Sequence, residues 1–188
     1  MGYSSTMRED IDSLTALGFC GFHTIRELRA KKLSMVPKQK GVYLVLRLSE
    51  EPVRFLDKSL GGHFEGKDPK VLIAKLCKEW VDGATILYIG KAGGPIGKAG
   101  GPKKKSTKKS TLHSRLKTYL KFGEGKPVSH WGGRLIWQIA DSDDLIICWK
   151  LITGKVPQNV ERKMLLEFKD SHDGKLPFAN LSMPSQRC

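Results

Sequence analysis

Apolar residues recur every three to four positions near the start of the chain, at Ile11, Leu14, Leu17, Ile25 and Leu28. The spacing predicts helix from about Met7 to Lys32, broken by Gly18 and Gly21. The next apolar stretch is of another kind. Gly41-Val42-Tyr43-Leu44-Val45-Leu46-Arg47-Leu48 is short and rich in strand-forming residues, which predicts a β-strand. Residues 49–68 carry Pro52, Gly61 and Gly62 and read as a loop. Asp68-Pro69 fits an N-cap followed by proline in the first helical position, with a helix running to about Trp80. Asp82-Gly83 then turns the chain into a second strand over residues 85–90.

Leu112 to Phe122 has the pattern of a basic amphipathic helix ending at Gly123. Arg134–Ala140 and Leu145–Ile152 read as strands joined by a turn at residues 141–144. Asn159 can cap a helix from Val160 to about Phe168, closed near Gly174, and Pro177–Leu181 forms a terminal extended segment. These elements sum to an α/β protein of the α+β sandwich type, a small central antiparallel sheet flanked by helices. Residues 1–35 would be an N-terminal helical extension packed on the core, and residues 36–188 the main domain.

Between the second strand and the basic helix the sequence repeats itself. Ile89-Gly-Lys-Ala-Gly-Gly-Pro95 recurs as Ile96-Gly-Lys-Ala-Gly-Gly-Pro102, and Lys104-Lys-Ser-Thr107 as Lys108-Lys-Ser-Thr111. Two copies of so short a unit cannot build a repeat fold, so residues 91–111 read as a lengthened, flexible surface loop. The nucleotide-binding pattern G-x-x-x-x-G-K-[ST] fails here, because Ala92 and Ala99 stand where it needs glycine and serine or threonine.

Charge changes this picture most. There are 33 Lys and Arg against 19 Asp and Glu, a formal net charge of +14, so a polyanion is the expected partner and nucleic acid the commonest one. Lys103, Lys104, Lys105, Lys108 and Lys109 account for only part of the excess; the rest belongs to the body of the protein. This lysine run would attract phosphate without sequence preference, or serve only as a solvated loop. Cys20, Cys77, Cys148 and Cys188 show no C-x-x-C spacing, which points away from a zinc site or disulfide framework. Met1–Asp12 is polar and lacks a signal-peptide core, and no apolar run reaches the roughly 18 residues of a membrane span. The chain reads as cytoplasmic, with no membrane partner.

Candidate chemistry lies in the two strands. Gly41-Val42-Tyr43 and Tyr88-Ile89-Gly90 each set a tyrosine near a glycine. If the strands pair, alternation puts Tyr43, Val45 and Arg47 on one face, beside Ile86, Tyr88 and Gly90. Arg115 and Tyr119, four apart on the basic helix, face one way. Glu161 opens a later helix and Asn180 lies in the last segment.

Two tyrosines, an arginine, a lone carboxylate and an asparagine in this order resemble the GIY-YIG nuclease superfamily. Gly-Val-Tyr43 stands for its first motif, Tyr88-Ile-Gly-Lys91 for its second, and Leu112-x-x-Arg115-Leu-x-x-Tyr119 for its arginine helix. Val160-Glu161 and Phe178-Ala179-Asn180-Leu181 match the glutamate helix and terminal asparagine. The chain is also similar to an uncharacterised bacterial single-domain branch marked by His130-Trp-Gly-Gly-Arg134-Leu-Ile-Trp-Gln138. It departs from the pattern in the long segment between its tyrosines, where the superfamily usually has a short hairpin, and in its duplicated loop.

The resemblance implies a metal-dependent endonuclease that hydrolyses phosphodiester bonds in DNA or structured nucleic acid. Glu161 would bind one Mg²⁺ or Mn²⁺, Arg115 would hold the scissile phosphate, and Tyr43 would act as general base. Tyr88 would orient water or phosphate, Tyr119 would hydrogen-bond to Tyr43, and Asn180 would position the Glu161 region. Lys91, His130 and Arg134 join the loop lysines as candidate substrate contacts. Two rivals stand beside this reading: a nucleic-acid-binding module that keeps the fold without cutting, and a covalent tyrosine nucleophile. The sequence shows no oligomeric interface.

Overall fold

The structure, a computed structural model, describes residues 5–94 and 110–184. The lysine run 103–109 lies outside the described residues. The core is a four-stranded antiparallel sheet in the order β1-β4-β2-β3, made of β1 (Cys20–Thr24), β2 (Gly41–Leu46), β3 (Ile86–Ala92) and β4 (Ile146–Leu151). β2 is buried along its whole length, so both of its faces are covered.

One face of the sheet carries Val42, Leu44, Leu46, Ile89 and Cys148, and packs against α1 (Ser5–Ala16) and α5 (Pro157–Ser171) through Leu14 and Leu165. The other face carries Tyr43, Val45, Tyr88 and Trp149. It is covered by α2 (Ile25–Ala30), α3 (Ile73–Glu79), α4 (Leu112–Gly123) and a 3-10 helix at Trp131–Gln138. The expected mixed architecture of an antiparallel sheet with helices against it is therefore observed. Among the described residues no helix is long and apolar enough to cross a membrane.

Several segments differ from expectation, each for a local reason. The helix expected over residues 7–32 stops at Ala16, where Gly18 takes the left-handed conformation (φ +86°). Residues 20–24 then pair with β4, so the N-terminal segment contributes an edge strand as well as helices. Asp68 does not cap a helix: its Oδ1 accepts from the Lys70 amide at 2.8 Å in a local turn. The next residues stay extended because Gln138 engages both backbone groups of Val71. The strand expected over residues 134–140 is a 3-10 helix whose Leu135, Ile136, Trp137 and Gln138 are all buried. Burial on every side removes the inside–outside alternation that separates strand from helix. Finally, α5 begins at Pro157, with proline in its first turn, rather than after an Asn159 cap.

Gln138 ties the long 47–85 connection to the core. Its Oε1 accepts from Val71 N at 2.6 Å, and its Nε2 donates to Val71 O and Leu56 O at 2.9 and 3.0 Å. Truncation would strip buried backbone groups of their partners, at about 1–3 kcal/mol for each one left unpaired. Gln138→Ala is expected to lower stability by about 2–4 kcal/mol in urea denaturation. The Val71 amide should lose protection from hydrogen exchange; unchanged protection at Val71 would refute the assignment.

Candidate active site

β2 and β3 pair with Tyr43 opposite Gly90 and Val45 opposite Tyr88, which brings both phenols to one face of the sheet. Their rings are 5.9 Å apart. Gly90 is required here, because a β-carbon on it would lie 2.4 Å from Tyr43 Cζ and 2.6 Å from its hydroxyl. Gly41 meets a similar limit, with the Lys150 carbonyl oxygen 2.4 Å from its would-be β-carbon. A register shift between Val45 and Leu46 skips Leu87 and turns Ile86 to the opposite face, against the expectation that Ile86 shares the face of Tyr88.

Helix α4 supplies Arg115 and Tyr119. Its start is fixed by a capping box in which Thr111 accepts from the Ser114 amide and Ser114 accepts from that of Thr111. Tyr119 stacks on Tyr88 at 6.3 Å, nearly parallel. Its hydroxyl is buried with no partner, so the expected bond to Tyr43 is not formed. Instead Tyr43 Oη lies 3.3 Å from Nε2 of His130. His130 is itself only 1% exposed, so it stands behind Tyr43 rather than at a surface where a substrate backbone could touch it.

The carboxylate arrives from the other side of the sheet. Glu161 lies one turn into α5, and Lys91 follows Gly90 on β3, pointing to the α5 face by alternation. Lys91 Nζ and Glu161 Oε2 are 3.0 Å apart, with the Glu161 side chain 12% exposed. β3 is one of the two edge strands of the sheet, so groups from both faces meet around it. Tyr88, Lys91, Arg115, Glu161 and Asn180 line one open cavity of about 340 Å³, whose rim includes Gly132 and Leu181. Asn180 is oriented by the sheet itself. Its Oδ1 accepts from Ile89 N and its Nδ2 donates to Ile89 O, both at 2.9 Å, so it clamps β3 rather than the Glu161 helix. Tyr43 is fully buried and does not reach the cavity wall, whereas Tyr88 does. Arg134 also lies off this wall, with its guanidinium 4.7 Å above the Trp131 ring.

Charge in the cavity is finely opposed. Burial pushes the Glu161 carboxyl above its usual range, while Lys91 and Arg115 pull it back. Burial raises Tyr43 well above the ordinary phenol value, and the neighbouring Tyr88 adds to this. Tyr88 is also raised by burial, but Arg115 and the Tyr43 hydroxyl act against the rise. Burial and the positive charge of Arg115 hold His130 well below its usual value, so its ring is neutral. Arg115 Nε is buried without a partner. The site therefore sets a guanidinium, an ammonium and a carboxylate around one cavity, the ammonium and carboxylate already paired.

The donor chemistry fits a hard, hydrated cation. Among the described residues no three His, Cys, Asp or Glu side chains cluster to make a metal cage. A single carboxylate suits Mg²⁺ or Mn²⁺, which keeps several waters and takes further oxygens from a phosphate. A larger cleft of about 450 Å³ opens beside Arg47 and Trp80. Arg47 there is already committed to Asp141, at 3.0 Å, and to the carbonyls of Ser49 and Glu51. The Lys91–Glu161 pair, the His130 contact and the Asn180 clamp were not readable in advance, though His130 falls in the distinctive His130–Gln138 segment. Comparison with protein-family models, with curated proteins and with solved structures returned no match for this chain.

Two measurements probe this geometry. Gly90→Ala is expected to displace the Tyr43 ring and cost about 1–3 kcal/mol of stability, read by denaturant unfolding, with altered Tyr43 ring resonances. For His130 the depressed value in the folded state fixes the sign of a pH effect. Above its unfolded value of 6.5 both states are neutral and nothing is lost; below it only the unfolded chain takes up the proton. Stability is expected to fall as pH drops below that point, by at most about 1.4 kcal/mol per pH unit from this group. His113, lowered by burial and by Lys38 and Lys117, adds to the same slope. The test is the difference between wild type and His130→Phe, which should show a shallower slope; parallel curves would contradict the assignment.

Proposed function

We propose that this protein is a metal-dependent endonuclease of the GIY-YIG type, acting on phosphodiester bonds in DNA or structured nucleic acid. The observation that carries the reading is the meeting of Tyr88, Lys91, Arg115 and Glu161 around the free edge of β3. A net charge of +14 supports a polyanionic substrate. Glu161 would hold Mg²⁺ or Mn²⁺, which supplies charge neutralisation on the phosphate and a more acidic water. Arg115, charged at any working pH and lining the cavity, would hold the scissile phosphate through its planar fork. Lys91, paired with Glu161 at 3.0 Å, would be the group to neutralise that carboxylate or, with Glu161 engaged by a cation, to meet a phosphate oxygen.

The burial pattern supports a change in the division of labour between the phenols. Tyr43 is enclosed, so the base role expected of it passes to Tyr88, whose hydroxyl can meet a water in the cavity. Tyr43 then supports Tyr88 from behind, and Asn180 holds the β3 backbone beside it.

The test is supercoiled plasmid incubated with the protein and Mg²⁺ or EDTA. Nicking is expected only with metal. Glu161→Ala and Arg115→Ala should each reduce it by about 10²–10³-fold, with the fold retained by circular dichroism. Tight binding without cutting on duplex, branched and single-stranded substrates would instead favour the binding-module reading. A protein-linked product would favour covalent tyrosine chemistry.

A further inference from the structure

The Tyr43–His130 contact joins two side chains that are 0% and 1% exposed, at 3.3 Å. The groups facing the imidazole are Tyr43 from β2, Tyr88 from β3, and Tyr119 and Arg115 from α4. Nδ1 is buried and none of these side chains bonds to it; the main chain of His130 itself acts on the ring, more weakly than burial or Arg115, without completing a hydrogen bond to Nδ1. A neutral imidazole has one N–H and one lone pair. An orphaned buried N–H is rarer in proteins than an acceptor with an unused lone pair. The proton therefore belongs on Nε2, where Tyr43 Oη can accept it, and the lone pair belongs on Nδ1. With its oxygen accepting from His130, Tyr43 has its own proton to give, and Tyr88 is the phenol beside it.

We propose that His130 is a positioning residue of this site: its Nε2–H donates to Tyr43 Oη and turns the Tyr43 hydroxyl proton toward Tyr88, so that three side chains donate in sequence toward the cavity. Hydrogen bonds donated to a phenol oxygen favour its ionised form, and bonds in a chain strengthen one another. The cavity phenol is thus prepared from behind by a residue that never meets the substrate. The effect on cleavage rests on the nuclease reading; the proton's location does not.

Two experiments separate these. Nitrogen-15 NMR of the 188-residue protein at neutral pH is expected to show His130, identified by its disappearance in His130→Phe, with the proton on Nε2. A proton on Nδ1 would overturn the proposal. In plasmid nicking, His130→Phe is expected to lower kcat about ten-fold, the worth of one buried hydrogen bond, with KM unchanged. His130→Gln, whose amide can still donate, is expected to recover activity to within about three-fold of wild type. Equal loss in both variants, or full activity in His130→Phe, would overturn the proposal. A wild-type protein that cuts nothing with any metal would defeat the nuclease reading alone, and the tautomer would still decide this one. If His130→Phe does not fold, the His130 signal is assigned through His130→Gln and the same criteria apply.

Discussion

The closeness of the Tyr43 ring to the backbone at Gly90 governs the rest of the site. A β-carbon at Gly90 would sit inside the ring's van der Waals envelope, so the phenol lies flat across β3 only because that position has no side chain. With the ring seated there, its hydroxyl reaches His130 and its face meets Tyr88, and Tyr119 and Trp137 close the layer above. Dense aromatic packing of this kind leaves little room for rotamer change around Tyr43 and Tyr88.

The second organising fact is that β3 is an edge. An edge strand exposes unpaired backbone groups and usually has to be covered. Here Ala179 donates to the Leu87 carbonyl and Asn180 takes both groups of Ile89, so the last segment serves as a short cover. Beside that cover the edge stays open, and helices from both faces of the sheet can reach around it. Arg115 comes from one side and Glu161 from the other. A central strand could not have received both, because its neighbours would stand in the way.

Much of this arrangement could be read from the chain. Period-two alternation puts Tyr43 and Tyr88 on one face, and the four-residue spacing of Arg115 and Tyr119 puts both on one side of a helix. What escaped were features decided by distant partners. Val71 has a helical neighbourhood in sequence, but Gln138 claims its amide and carbonyl. The Arg134–Ala140 segment has a strand's composition, yet it is surrounded on all sides, so composition could not choose between strand and 3-10 helix. Cys20–Thr24 became a strand because β4 had a free edge for it, which no local signal reports. His130 is the sharpest case: it lies in the distinctive His130–Gln138 segment, but it is buried against Tyr43 from the distant β2, a contact that spacing rules do not describe.

The neck of the duplicated segment has a consequence of its own. Ser110 donates its amide to the Gly94 carbonyl, and its hydroxyl accepts from the Gly93 amide, both at 3.0 Å, so the ends of residues 95–109 are pinned together. Strand β3 and helix α4 therefore meet across a closed seam, and once two ends are held together the closure cost depends only weakly on the length between them, about 0.6 kcal/mol for each doubling. The second copy of the Gly-Gly-Pro unit, residues 96–102, lies beyond this seam, whose Gly94 and Ser110 themselves line the cavity. Length can therefore change at this seam while the bonds from Gly93 and Gly94 to Ser110 hold β3 and α4 together.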